Sequence, residues 1–356
     1  MKQERLDRII SAMKPAGAGQ TIVSDPLVIG WLTGIGIVPG ERMLALLLKD
    51  DGTHKLIVNA LFPQEETYGT DITYFSDTDD GVALLFSFMD KGGTVAVDKN
   101  WPARFLLRLI ELDPGAEFIN SAPVIDGVRL IKDAGEIDCV CRAGEIASRA
   151  FDRLLEQLRP GMTEKQAQIL LDYEMLNLGS EGRAFDTIAA AGVNGSLPHA
   201  IPSDYVIREG DLLTLDFGAT VGGYCSDVTR TVAFGRVSPE LRAIYDLVYD
   251  AHMAALEAVR PGAMCGDVDR IARDMIDGRY SGAFGHSLGH GVGLFIHEQP
   301  RVAKGSQTVL ESGHVITIEP GVYIPGLGGC RIEDTVILTD DGFIDPITSP
   351  KQFIAL

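Results

Sequence analysis

Residues 158–175 read LRPGMTEKQAQILLDYEM, and residues 259–276 read VRPGAMCGDVDRIARDMI. Arg159 and Arg260 stand 101 residues apart, each before a Pro-Gly and a helix-like stretch. The likeness continues downstream. A Gly-rich segment carries a histidine in each copy, FDTIAAAGVNGSLPHA to His199 and FGHSLGHGVGLFIHE through His297. A strand hairpin follows, DLLTLDFGATVGGYCSDVTRTVAFG from Asp211 and HVITIEPGVYIPGLGGCRIEDTVIL from His314. Repetition of this kind marks duplicated units that bury their apolar faces against each other. Helix, helix, strand and hairpin, twice over, predict an α+β domain with an antiparallel sheet, flanking helices and a pseudo-twofold axis. A site on that axis receives equivalent residues from both copies.

The repeat occupies only the second part of the 356 residues. Ahead of it, Met43–Lys49 and Lys55–Ala60 flank Asp50-Asp51-Gly52, a hairpin signal. Thr94–Asp98 reads as a strand and Pro102–Leu112 as a helix. Residues 1–122 are therefore expected to form a smaller α/β domain, and residues 123–356 the duplicated one. Asp133 with Glu136, and Thr163 with Gln166, are capping-box pairs that open helices.

Hydrophobic residues make up 46% of the chain, an ordinary globular share. The net charge of −19, with no basic block, argues against a nucleic-acid groove and against an anionic membrane surface. The longest apolar stretch, Leu27–Val38, is too short and too Gly-rich to span a bilayer. The N-terminus, MKQERLDRIISAM, lacks a signal-peptide core. The five cysteines match neither a zinc ribbon nor a disulfide framework, so the expected setting is the reducing cytoplasm.

Both hairpins carry acids on otherwise apolar strands. Asp216 lies in LLTLDFG and Asp227 in YCSDVTRT; Glu319 lies in VITIEPG and Glu333 in CRIEDTV. Buried carboxylates are rare unless paired or metal-bound. Two of them about 4 Å apart repel by roughly 4 kcal/mol at an effective dielectric near 20. Four converging acids would cost on the order of 20 kcal/mol if nothing neutralised them. Protonation relieves part of that; two divalent cations relieve it and leave the acids ionised. Such oxygen donors suit Mn, and an added histidine also admits Fe(II), Co or Zn.

Three histidines, His286, His290 and His297, are candidates for a fifth ligand. Glycines surround His290 and leave its imidazole clear, which makes it the first choice; His286, four residues earlier, is the second. His199 and His297 occupy matching places in the two copies and are expected to face a substrate. His54, His252 and His314 have no such setting and are assigned structural or surface roles. Metal-assisted hydrolysis, with an amide as the expected substrate bond, follows from this set.

In their contexts LDFG, SDVTRT, GHGVG, IEPG and RIED, the five ligands resemble the pita-bread metallopeptidases, and among them the Xaa-Pro dipeptidases (prolidases) and Xaa-Pro aminopeptidases. The resemblance covers the full chain, including the α/β N-terminal domain. It implies two Mn, Co or Zn ions, Mn first, bridged by Asp227 and Glu333. Asp216 completes one metal, and His290 and Glu319 the other. It implies catalytic roles for His199, His297 and Glu319, acting on a small peptide. It also implies a homodimer whose partner loop approaches the site, with Gly34–Arg42 as the candidate loop. HEQPR looks more like the compact dipeptidases, in which Arg301 matches an arginine that meets the substrate carboxylate. Arg331, two residues before Glu333, is the second candidate substrate contact, its other role being to offset the acids. The alternative is an aminopeptidase acting on longer Xaa-Pro peptides. A non-catalytic binding protein or a metal-free creatinase-like amidinohydrolase would be expected to lack the complete ligand set.

Overall fold

The computed structural model describes residues 1–356 and divides after Arg129 into two units. In the first, six strands form one mixed sheet in the order Ile72–Phe75, His54–Asn59, Ala45–Lys49, Gln20–Val23, Gly93–Val97, Ala116–Asn120. Ile22, Leu47, Ile57 and Val95 fill its core. The division falls seven residues later than the expected end at 122. Helix Ala122–Val128 packs back on the N-terminal helix Gln3–Met13, and Arg8 donates to the Val128 carbonyl. That contact keeps the segment with the first unit.

Capping chemistry sets where the helices of the second unit begin. Asp133 accepts from the Glu136 N–H while the Glu136 carboxylate accepts from the Asp133 N–H, and Ala134–Leu155 starts there. Thr163 and Gln166 make the same reciprocal pair before Glu164–Asn177. In the second copy Ser238 caps Pro239–Ala258, with proline at the first helical position. Cys265–Asp277 follows without a side-chain cap. Between the helices of each pair, Gly161 and Gly262 take left-handed backbone at φ +93° and +86°.

The sheets complete the duplication. Ile188–Ala191, Leu212–Phe217 and Val228–Ala233 form an antiparallel three-stranded sheet with Leu212–Phe217 at its centre. In the second copy the order is Glu298–Val302, Gly289–Gly291, Val315–Ile318, Asp334–Leu338, Phe343–Ile344, again antiparallel. Each copy has its own core: Phe151, Leu171, Phe217 and Phe234 in the first, Ile244, Val248, Ile316 and Val336 in the second. An isolated bridge between Thr229 and Glu333 joins the two sheets. The α+β architecture with two antiparallel copies is the one the repeat predicts.

Candidate metal centre

Strand alternation aims the acids. Asp216 is in the central strand of the first sheet, opposite Ile188 on one side and Thr229 on the other. Glu319 follows the equivalent strand Val315–Ile318. Asp227 and Glu333 precede the partner strands Val228–Ala233 and Asp334–Leu338. Hydrogen bonds cross between the copies at these two positions. The Asp227 N–H donates to Thr335 Oγ1 at 3.0 Å, and the Glu333 N–H donates to the Thr229 carbonyl at 3.1 Å. Thr229 Oγ1 also donates to Glu333 Oε2 at 2.6 Å.

His290 comes from the short strand Gly289–Gly291, which is squeezed between two neighbours. A Cβ at 289 would lie 1.9 Å from the Thr317 carbonyl oxygen, and one at 291 would lie 2.0 Å from that of Gln299. Only glycine fits beside this histidine. Nδ1 of His290 donates to the Gly291 carbonyl at 3.1 Å, which leaves Nε2 with a free lone pair. Nε2 is 3.4 Å from Glu319 Oε1 and 3.5 Å from Asp227 Oδ2. Ligand atoms of Asp227, His290 and Glu333 all lie within 4.8 Å of one another.

This donor set fits divalent cations. Burial, and then the neighbouring acids, push the Asp227 and Glu333 carboxyls well above the usual range. Burial likewise raises Glu319 to about 8. Burial and mutual repulsion therefore disfavour the ionised form of these acids unless a countercharge joins them. Burial lowers His290 to about 4, with His297 adding to the effect, so its imidazole is neutral, the form that binds metal. One oxygen of Asp216, Oδ1, is buried with no hydrogen-bond partner. An orphaned carboxylate oxygen in a cluster of acids is a donor suited to a cation.

Arg331 supplies the one cation inside the cluster. Its guanidinium donates to Asp216 Oδ2 at 2.5 Å, to Tyr323 Oη at 2.7 Å, to Thr229 Oγ1 at 3.1 Å and to the Pro198 carbonyl at 3.2 Å. At 3% exposure, with these partners, it has no face for a substrate. Of its two expected roles the structure supports the offset of the acids rather than a substrate contact: Arg331 serves Asp216 and the His199 loop. His286 is likewise engaged elsewhere. Its Nδ1 donates to the Ser287 carbonyl, its Nε2 accepts from Tyr323 Oη, and its segment is not helical. His252 pairs with Asp334 in the interior, and His314 is buried too.

His199 and His297 are both exposed. The His297 ring stands edge-on to His290 at 4.4 Å between centroids. Burial lowers its pKa, and the charge of His199 lowers it further, which places the two histidines within electrostatic reach. Arg301 is exposed, makes no ion pair, and its charge also depresses His290 and His297. Thr229, Thr335 and Tyr323 were not anticipated. The two threonines carry a signal, since each stands two residues after its acid, in Asp-Val-Thr and Glu-Asp-Thr.

A model of metallopeptidase family M24 matches residues 138–340, and one of the Creatinase/Prolidase N-terminal domain matches residues 5–131. The chain is 35% identical to an Xaa-Pro dipeptidase from Pyrococcus furiosus over 96% of both sequences. The crystal structure of a prolidase from Thermococcus sibiricus superposes with a TM-score of 0.96 at 31% identity, covering 100% of this chain and 99% of that one. An X-Pro aminopeptidase from Thermotoga maritima superposes with a TM-score of 0.83, also at 31% identity, covering 97% and 100%.

Proposed function

Because the chain belongs to metallopeptidase family M24, we propose that it is an Xaa-Pro dipeptidase that works with two divalent metal ions. The convergence of Asp227, His290 and Glu333 with Asp216 and Glu319 carries this reading. Asp227 and Glu333 would bridge the ions, Asp216 would complete one, and His290 with Glu319 the other. Four carboxylates and one imidazole favour Mn, with Co or Zn as substitutes. When bound, such ions lower the pKa of a water toward neutrality and stabilise developing oxyanion charge.

The protein supplies the rest. Arg331 donates to Asp216 Oδ2 and so fixes the direction of that carboxylate. The neutral His290 offers Nε2 because Nδ1 is tied to its own backbone. His297 and His199, both exposed, would donate to the substrate carbonyl or hand a proton to the departing proline nitrogen, a reading supported by the contact of His297 with His290. Arg301 offers a free guanidinium for the carboxylate at the dipeptide's end. The proposed setting is the cytoplasm, supported by five free cysteines; no helix is long and apolar enough to cross a membrane. We also propose a homodimer, for which the apolar tip at Val38, 85% exposed in the Gly34–Arg42 segment, is the candidate contact.

Arg301 gives the decisive experiment. A charge-assisted contact to carboxylate is worth roughly 1.5–3 kcal/mol, or about 10- to 150-fold in kcat/KM. Arg301→Ala is expected to weaken an Xaa-Pro dipeptide by that factor and a matched tripeptide little. The wild-type enzyme is expected to need Mn²⁺ or Co²⁺ and to fail with chelator. A wild type that prefers the tripeptide, with equal losses on both in the variant, would assign an aminopeptidase instead.

A further inference from the structure

Glu164 opens helix Glu164–Asn177 and is 0% exposed. An acid at this position usually stands in water and favours the helix N-terminus through the dipole. This one faces inward. Its Oε1 accepts from the Ala191 N–H at 2.7 Å and from Asn194 Nδ2 at 3.0 Å. Its Oε2 accepts from the Ser203 N–H at 2.9 Å and from Ser203 Oγ at 2.7 Å. It makes no ion pair. All four partners are donors, the set an acceptor-only carboxylate matches.

The donors bracket His199. Ala191 ends strand Ile188–Ala191, and Ser203 lies four residues beyond the histidine. One side chain thus closes both ends of the loop that presents His199. The opposite side of the loop rests on strand Gly328–Arg331. Pro198 accepts from Arg331 there, and a Cβ on Gly329 would lie 2.2 Å from the Gly195 carbonyl oxygen. The loop is therefore trapped between Glu164 and the strand that leads to Glu333. A buried carboxylate without a cation costs several kcal/mol unless its lone pairs are filled, and here only the loop fills them.

We propose that Glu164 is a positioning residue for His199, setting the loop so that the imidazole meets the substrate. The catalytic half of this statement rests on the function proposed above; the clamp itself does not. The helix and loop retain other bonds, Glu164 N–H to the Tyr205 carbonyl at 3.1 Å and Lys165 N–H to the Ser203 carbonyl at 3.2 Å, so the domain survives loss of the carboxylate.

Glu164→Gln preserves volume but turns an amide NH₂ toward a backbone N–H. Hydrogen exchange on protein without added metal is expected to accelerate at residues 191–203 by about 10-fold or more and not at residues 284–298. On an Xaa-Pro dipeptide, kcat is expected to fall by about 10-fold, with metal content and KM within about 2-fold of wild type. That loss is expected to vanish in the His199→Ala background, since coupled residues are non-additive. Ser203→Ala, which removes one donor, is expected to give the same pattern more weakly and serves if Glu164→Gln fails to fold. Unchanged exchange at 191–203 would overturn the clamp. A full loss persisting without His199 would overturn its role in positioning. A wild type inactive on proline peptides would sink the functional reading, while the exchange result would still decide the clamp.

Discussion

The first copy reaches the centre with two aspartates and a strand of alanines; the second reaches it with two glutamates and Gly-His-Gly. Ala189, Ala190 and Ala191 are buried against Leu215, Thr214 and Leu213, and each has room for its methyl. The equivalent strand Gly289–Gly291 has room for none beside His290. The hairpins diverge in the same way. Two residues before Asp227 stands Cys225, a buried thiol that desolvation pushes up to about 12; two residues before Glu333 stands Arg331. After Asp227 comes the apolar Val228, and after Glu333 the buried Asp334. Duplication thus fixes backbone placement and the four carboxylates. The imidazole of His290 and the guanidinium that meets Asp216 come from one side only.

If Asp227 and Glu333 hold the ions as proposed and do so equivalently, Glu333→Ala and Asp227→Ala should be equally damaging. Loss of a supporting residue alone commonly costs 10–100-fold in metal affinity or activity, so loss of a ligand should exceed about 100-fold. Turnover and metal content by elemental analysis would show it. Near-normal activity with two metals bound in either variant would end the assignment.

Asp334 tests the asymmetry through stability. It is 0% exposed, 2.7 Å from both Arg230 and His252 and 3.1 Å from Lys351. Burial alone would raise its pKa, but the charge of Arg230 and the hydrogen bond to His252 outweigh that and hold it far below the usual range. A depressed folded-state pKa stabilises above the unfolded value near 4 and loses that contribution as pH falls below it. Asp334→Asn leaves Arg230 without its countercharge and is expected to cost about 3–5 kcal/mol at pH 7. Urea unfolding should show the gap between wild type and variant closing as pH is lowered through 4. A gap that stays constant would mean the loss is one of packing, as for its apolar counterpart Val228.

The histidines test whether symmetry extends to chemistry. His199→Ala and His297→Ala should each lower turnover by about 10²-fold, within the general acid–base range, with metal retained. Should His297→Ala release metal, the ligand would have to be reassigned within GHGVGLFIHE, and the two copies would differ more than their positions suggest.

Most of this was legible because it is periodic. The strand expected at Lys55–Ala60 is found at His54–Asn59, and the capping boxes fall where Asp133 and Thr163 announce them. The acids were legible because a carboxylate on an apolar strand is conspicuous. What escaped was the fate of neighbouring side chains. Glu333 and Asp334 are adjacent acids, yet strand alternation sends one into the cluster and the other into an ion network with Arg230. Arg331 was expected either to meet substrate or to offset the acids, and nothing local reveals that Tyr323, Pro198 and Asp216 claim its donors. Those partners lie 8, 133 and 115 residues away, and distant partners leave no local pattern.

The bonds that cross between the copies also bear on how the chain assembles. Asp227 and Thr335 are 108 residues apart, and Thr229 and Glu333 are 104 apart. Contacts of such separation close long loops and form slowly compared with local ones. A nascent chain that has just completed the first copy therefore holds Asp216 and Asp227 without the second copy's residues opposite them. Only synthesis of the last hairpin supplies Thr335 and Glu333. Ion uptake would then mark the end of folding, and a chain stopped near residue 235 would carry half of the acids and no closed centre.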